Sequence, residues 1–318
     1  MTVTGPAAEA NRFARAATTH VGRVRSVNQD YAWVGSLEVA GSSHGVALVA
    51  DGMGGGVLGE EASRIAAEAV VARLSHAMGT DPATSLTDAV GSAHDAVIAA
   101  RAGLDIGIAP FATTLVVTVV DEVTARAWIA NVGDSRAYLL GPRGIQRLTR
   151  DHSIVAERLA AGRITEQEAR DAPDRSVITR AVGAGARLLI DLWGPAVLDT
   201  GEVLLLCSDG VHGLLNDREI ARIGQRTPPE GLPEALVAAA NGAGGSDNIA
   251  VAVLARTADR DPARHRSWRP PFGAHNGQRA AWPMTEVAHT VPQRPAAELD
   301  GEAEPTASGA AAGTAGEE

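Results

Sequence analysis

Two segments of the chain read as nearly continuous apolar strands that end in the same dipeptide: Val46-Ala-Leu-Val-Ala-Asp51-Gly52 and Val203-Leu-Leu-Leu-Cys-Ser-Asp209-Gly210. A strand without polar alternation is buried on both faces. An aspartate at its end is therefore held near the interior, where a lone carboxylate is costly unless it is paired or binds a metal. The glycine that follows lets the backbone turn sharply and come close to a ligand. Taken singly, each segment is also an ordinary strand-to-turn exit, because Asp-Gly is common in turns.

The remaining elements narrow the fold. Apolar or alternating runs predict strands at Gly45–Ala50, Thr114–Val120, Arg126–Val132, Arg136–Leu140, Glu202–Ser208 and Asn248–Leu254, with a further strand around Tyr31 and Trp33. Helical spacing places Ile65, Ala69, Val70 and Leu74 on one face of Glu60–Met78, and aligns Leu86, Val90, Ala93 and Val97 after a start signal at Asp81-Pro82. A capping box at Thr165 to Glu168 opens a short helix, and Glu234–Ala240 reads as a late one. One strand precedes two helices in succession, and strands then come in pairs, which is not the alternation of a doubly wound α/β fold. The order suits antiparallel sheets with helices packed outside them.

Charge and cysteine content limit the function classes. The net charge is −10 and every basic residue is Arg, so no basic stripe for nucleic acid or an anionic membrane is expected. A single cysteine, Cys207, rules out an intrachain disulfide and Cys-rich zinc sites, and fits a reducing cytoplasm. Residues 1–22 lack an apolar core of signal-peptide length, and no apolar run is long enough for a transmembrane helix. Residues 1–17 read as a flexible N-terminal segment, 18–256 as one domain, and 257–318, rich in Pro, Gly, Ala, Arg and Glu, as a disordered tail. Trp268, Phe272 and Trp282 in that tail could form a docking motif, but the composition favours a passive tail. A monomer is the default expectation.

Further acids share the setting of Asp51 and Asp209. Asp30 follows Asn28-Gln29, Asp134 sits in Gly133-Asp134-Ser135 between two alternating runs, and Asp247 leads into the last predicted strand. Five aspartates on strand ends or tight turns suit hard cations, and all-oxygen ligation favours Mg²⁺ or Mn²⁺. The nine histidines show no HxH or HExxH spacing.

The ordered set of motifs resembles the PPM-type, or protein phosphatase 2C, metal-dependent serine/threonine protein phosphatases in their bacterial form. The matching stretches are Val24-Arg25-Ser-Val-Asn28-Gln29-Asp30; Val49-Ala-Asp51-Gly52-Met53-Gly54-Gly55 with Gly59-Glu60; Thr113-Thr114-Leu115; Asn131-Val-Gly133-Asp134-Ser135-Arg136; Leu148-Thr-Arg-Asp151-His152-Ser153; Ile178-Thr179-Arg180; Leu206-Cys-Ser208-Asp209-Gly210; and Ser246-Asp247-Asn248. The resemblance implies an α+β fold, a four-layer α-β-β-α sandwich with two central antiparallel sheets. It also implies a binuclear Mn²⁺ or Mg²⁺ centre, with Asp51 bridging, the Gly52 carbonyl assisting, and Asp209 and Asp247 completing the set. Asp134 would help hold a third ion, and Asp30 would act from behind the ligands or through water. Arg25 would grip the substrate phosphate, for which a planar guanidinium is well suited. Residues 151–182 would form a mobile flap. Two metals ~4 Å apart would generate hydroxide that attacks phosphorus directly. Phosphorylated proteins, among them a Ser/Thr kinase and its targets, are the implied partners.

This sequence departs from the family pattern at Gln29, where many relatives carry Glu, and at Met53, Gly56 and Ala112. Three other readings compete. Gly54-x-Gly56-x-x-Gly59 matches a dinucleotide fingerprint but leads into two successive helices. Gly133-Asp-Ser135 resembles a nucleophile elbow but precedes a predicted strand where the elbow needs a helix. A catalytically dead relative would have lost Asp51, Asp209 or Asp247, and all three are present.

Overall fold

In the computed structural model, which describes residues 13–39, 41–79, 81–257 and 282–291, the two apolar segments lie inside two different sheets. The strands in chain order are β1 (Phe13–His20), β2 (Asp30–Val39), β3 (Ser42–Met53), β4 (Ala112–Thr113), β5 (Leu115–Asp121), β6 (Arg126–Val132), β7 (Arg136–Gly141), β8 (Gly144–Arg147), β9 (Arg187–Val197), β10 (Val203–Cys207), β11 (Ile249–Arg256) and β12 (Met284–Thr290). The helices are α1 (Val57–Ala77), α2 (Pro82–Ala102), α3 (Ile154–Ala160), α4 (Glu166–Asp171), α5 (Asp209–His212), α6 (Asp217–Gly224) and α7 (Leu232–Gly242). One sheet runs β1-β11-β10-β7-β8 and the other β12-β9-β6-β5-β3-β2, with β4 pairing the end of β3. The pairings are antiparallel throughout.

Strand alternation builds three cores from two sheets. Along β3, Val46, Leu48 and Ala50 face α1 and α2, while Ala47 and Val49 face the opposite sheet. Along β10, Leu204 and Leu206 fill the space between the sheets, and Val203, Leu205 and Cys207 pack towards α6 and α7. A strand with an apolar core on each side has no place for polar residues, which is why both segments read as unbroken apolar runs. The result is an α+β fold of two central antiparallel sheets between outer helices.

Local signals account for the helix starts. Asp81 caps α2, accepting hydrogen bonds from the N–H groups of Ala83 and Thr84, with Pro82 in the first turn. Thr165 and Glu168 form the expected reciprocal capping box, and Asn216 with Glu219 forms a second one at α6. Buried faces of α1 and α2 are rich in alanine, which brings the pair close to each other and to the sheet.

Sequence reading and structure differ at both ends of the domain. The boundary drawn at residue 18 falls inside β1, whose Phe13–His20 pairs with β11 along its whole length. Within the expected tail, β12 pairs with β9 from Met284↔Trp193 to Thr290↔Arg187. Trp282 is buried between the sheets and is a core residue, not an accessible docking aromatic. Trp268 and Phe272 lie outside the described residues. Gly54, Gly56 and Gly59 belong to the β3–α1 turn and the start of α1, and α1 leads to α2 with no parallel strand, so the dinucleotide reading fails. Ser135 is buried in the turn that crosses from β6 in one sheet to β7 in the other; a strand and not a helix follows it, which removes the nucleophile-elbow reading.

Both glycines of the Asp-Gly pairs are required by close backbone approach. A Cβ on Gly210 would lie 1.8 Å from the Asn248 carbonyl oxygen, and one on Gly52 would lie 1.9 Å from that of Gly59. Gly210→Ala is expected to lower stability by about 3 kcal/mol in urea unfolding. Gly242→Ala, where a Cβ meets nothing within 4 Å, is expected to stay within about 1 kcal/mol of the parent protein.

Candidate metal centre

Five aspartates from five segments face one another where the two sheets end on the same side. Asp30 and Asp51 stand directly opposite each other in the β2–β3 pairing. Asp209 opens α5 directly after β10, Asp247 precedes β11, and Asp134 lies in the β6–β7 turn. The Asp51 carboxyl interacts electrostatically with both Asp30 and Asp209. Among the described residues, no three His, Cys, Asp or Glu side chains stand in a preformed ligand shell. The cluster is held by its surroundings against its own repulsion.

That repulsion shows in the proton affinities. Burial pushes Asp30 up to about 8, against the pull of a hydrogen bond from the Ser208 hydroxyl. Burial also raises Asp51 well above the carboxylate range, and Asp30, Asp209, Asp134 and Asp247 add to the shift. Asp134 is pushed up to about 7 by burial, then by Asp209 and Asp151, and Asp209 to about 6 by burial and Asp247. An all-oxygen set of mutually repelling carboxylates fits a hard divalent cation, which would relieve the repulsion. The Asp30 Oδ1 atom is buried with no hydrogen-bond partner among the described residues, so the cluster has an unsatisfied acceptor as well as excess charge.

A scaffold of uncharged groups fixes each acid. Ser208 Oγ donates to Asp30 Oδ2 at 2.7 Å and accepts from the Ala250 N–H at 2.9 Å, tying β2 to the other sheet. The Asp51 N–H donates to Thr114 Oγ1 at 3.0 Å, and its carbonyl accepts from the Thr113 hydroxyl at 2.9 Å. Gly52 pairs with Thr113 in β4, and its N–H reaches the Gln29 carbonyl. His212, which burial holds down at about 3, lies 3.1 Å from the Asp134 carbonyl oxygen through Nε2. Asn248 donates to the carbonyls of Val21 and Val27 and accepts from the Gln29 N–H, all at 2.9 Å. It thereby clamps the loop that carries Arg25 against the start of β11.

Arg25 projects into the cluster from that loop, half exposed, and donates to Asp247 Oδ2 at 2.9 Å. The Gln29 side chain lies against Gly59, where a Cβ would fall 1.9 Å from its Nε2. Met53 lines a cleft shared with Pro110, Phe111, Ile178 and Arg180. Cys207 is fully buried and pushed up to about 12 by desolvation, which removes it as a nucleophile.

The structure brings Arg25, Asp30, Asp51, Gly52, Asp134, Asp209 and Asp247 to one place. Sequence reasoning assigned no role to Ser208 and Asn248 beyond their place in the quoted motifs. Their signal was adjacency to Asp209 and Asp247. It also left out Asp191, a fully buried acid in β9.

Comparison with known proteins gives the same reading. The Protein phosphatase 2C family profile matches residues 19–239. The chain is 31% identical over 249 residues to the serine/threonine phosphatase stp of Listeria monocytogenes, covering 75% of this chain and 94% of that protein. It is 35% identical over 244 residues to the protein phosphatase PhpP of Streptococcus pneumoniae, covering 74% and 94%. The catalytic domain of the phosphatase PstP, solved with two manganese ions, superposes with a TM-score of 0.66 at 28% identity, over 77% of this chain and 99% of that one. Fold and sequence together define a protein phosphatase. The chain belongs to the protein phosphatase 2C family, the PPM-type serine/threonine phosphatases.

Next to the acids, Asp191 anchors the two ends of the segment 151–182. Its carboxylate takes Arg150 Nε at 2.5 Å and Arg180 Nη1 at 3.0 Å. His152 Nε2 lies 3.2 Å away, off the line of a hydrogen bond, while its Nδ1 accepts from the Gly133 N–H. Burial disfavours the Asp191 anion, but His152 and Arg150 outweigh it and hold the carboxyl down at about 2. A depressed carboxylate contributes stability that is present above its unfolded pKa of about 4 and is lost as pH falls through its folded value. Asp191→Asn is therefore expected to flatten the urea-midpoint profile between about pH 4 and 2, and to lower stability at neutral pH by about 2 kcal/mol.

Proposed function

We propose that the protein is a metal-dependent serine/threonine protein phosphatase that hydrolyses phosphoserine or phosphothreonine in other proteins. The observation that carries this reading is the convergence of five aspartates beside one half-exposed arginine, with proton affinity raised at Asp30, Asp51, Asp134 and Asp209 and a buried Asp30 oxygen left unsatisfied. Asp51, the Gly52 carbonyl, Asp209 and Asp247 would hold two ions, Mn²⁺ or Mg²⁺, and Asp134 would help hold a third. Bound cations would supply charge against the phosphoryl oxygens and acidify water; attack of the resulting hydroxide on phosphorus would displace the Ser or Thr oxygen, which takes up a proton from solvent, with no protein nucleophile and no phosphoenzyme.

The chain's own groups do the rest. Arg25 binds the phosphate through its planar guanidinium, exchanging one anionic partner, Asp247, for another. Asp30, hydrogen-bonded to Ser208, orients water behind the ligands. Thr113, Thr114 and Asn248 keep the carboxylates and Arg25 in register. Gln29, a neutral amide, contributes no charge to the set. Among the described residues no helix is long and apolar enough to cross a membrane. We place the protein in the cytoplasm as a monomer, acting on phosphorylated proteins, a Ser/Thr kinase and its targets among them.

Purified protein is expected to release phosphate from a phosphothreonine peptide with Mn²⁺ and to stop with excess EDTA. Asp209→Ala is expected to reduce kcat by at least about a hundredfold. A folded, Mn²⁺-supplied protein that releases nothing from the peptide or from an aryl phosphate would sink the reading. Arg25→Ala is expected to raise KM for the peptide about tenfold, measured by initial rates. Release of phosphate from a phosphorylated kinase domain tests the partner directly.

A further inference from the structure

The family profile ends at residue 239, yet a later segment of this chain reaches back to the flap. β12 pairs with β9, the strand that carries Asp191, and covers what would otherwise be a free sheet edge. It is anchored at both ends. The Pro283 carbonyl accepts from the Gly194 N–H at 2.9 Å, beside buried Trp282. At the other end His289 Nε2 lies 2.9 Å from Asp95 Oδ1 on α2, with its ring edge-on to that of His94. Gly91 on α2 leaves room for it, since a Cβ there would lie 2.6 Å from the His289 ring.

Between these anchors Glu286 sits opposite Asp191 in the β9–β12 register. Its carboxylate takes Arg180 Nη2 at 2.8 Å and Arg150 Nη2 at 3.4 Å. Arg150 stands just before the segment 151–182 and Arg180 near its end. Two guanidinium groups thus face two carboxylates, one fully buried and one at the surface. Without Glu286, two cations would share the single charge of Asp191. Arg180 also lines the cleft that contains Met53, two residues beyond Asp51.

We propose that Glu286, supplied by the C-terminal strand, is a positioning residue that fixes both ends of the flap and holds Arg180 at the cleft beside the site, and so sets how tightly a phosphorylated polypeptide is bound. This rests on the phosphatase reading. Glu286 touches neither the aspartate cluster nor Arg25, so its effect falls on polypeptide binding and not on the reaction at phosphorus.

The experiment compares full-length parent protein with Glu286→Gln, Glu286→Arg and Glu286→Asp. Initial rates with Mn²⁺ are measured on a phosphothreonine peptide and on p-nitrophenyl phosphate, and amide hydrogen exchange is followed across the chain. Glu286→Gln is expected to raise peptide KM about fivefold with kcat little changed, Glu286→Arg to raise it further, and Glu286→Asp to recover most of the loss. Kinetics on p-nitrophenyl phosphate are expected to stay within about twofold, and exchange is expected to quicken in residues 151–182 but not in β10 or β11. Unchanged peptide KM and flap exchange in both Gln and Arg variants would overturn the proposal. So would an equal loss on both substrates with faster exchange in β10 and β11, the signature of a merely structural role. A parent protein inactive on both substrates would refute the phosphatase reading instead. In that case the exchange data alone decide: faster flap exchange in Glu286→Gln upholds the brace, and no change removes it.

Discussion

Mutual repulsion among the aspartates around Asp51 is the constraint that the rest of the structure answers. Two unit charges 4 Å apart repel by about 4 kcal/mol at an effective dielectric of 20, and Asp30, Asp209, Asp134 and Asp247 all act on Asp51 in this repulsive sense. Nothing in the cluster itself favours its assembly. What holds it is the apolar burial of β3 and β10, which pins Asp51 and Asp209 whatever their charge, and a set of neutral donors that fix backbone and side chain around them. The fold's stability is spent in one place, on keeping together groups that would separate in water.

The two sheets share this task unequally. Asp30 and Asp51 come from adjacent strands of one sheet, while Asp209 and Asp247 flank β10 and β11 of the other. Ser208 bridges the two, with its hydroxyl on Asp30 and on the Ala250 N–H. The relative position of the sheets is therefore written into the site. A shift of one sheet against the other would change the carboxylate spacing directly, and the inter-sheet core of large side chains resists such a shift.

Much of this was legible in the residues. β6 matches its expected bounds, and β3, β5, β7, β10 and β11 lie within a few residues of theirs, because both-face burial or strict alternation leaves an unmistakable pattern. β1 did not stand out, since its Arg15, Thr18 and Thr19 dilute the apolar signal. β9 hides an acid, Asp191, and a Gly194-Pro195 pair that reads as a strand breaker, although Asp191 is neutralised by Arg150 and Arg180 from other segments. β12 was concealed by composition: Met284–Thr290 is mostly polar because only one side of this edge strand meets the protein. The aspartates of the site were legible as strand ends. Ser208 and Asn248 were not, because their partners lie 178 and 219–227 residues away, and no local pattern encodes such a pairing.

The pairing of β1 with β11 carries a consequence for synthesis. Among the described residues, the strand Phe13–His20 finds its ladder partner only in residues 249–256. At ribosomal rates of about 5–20 residues per second, roughly 10–50 s separates the emergence of the two strands. For most of that interval Asp30 and Asp51 are already made while Ser208 and Asp209 are not, and Asn248 comes only at its end. A nascent chain therefore carries the acids of one sheet without the groups that tie them to the other. The site cannot be complete until Asp247 and the start of β11 have been made and β11 has closed on β1.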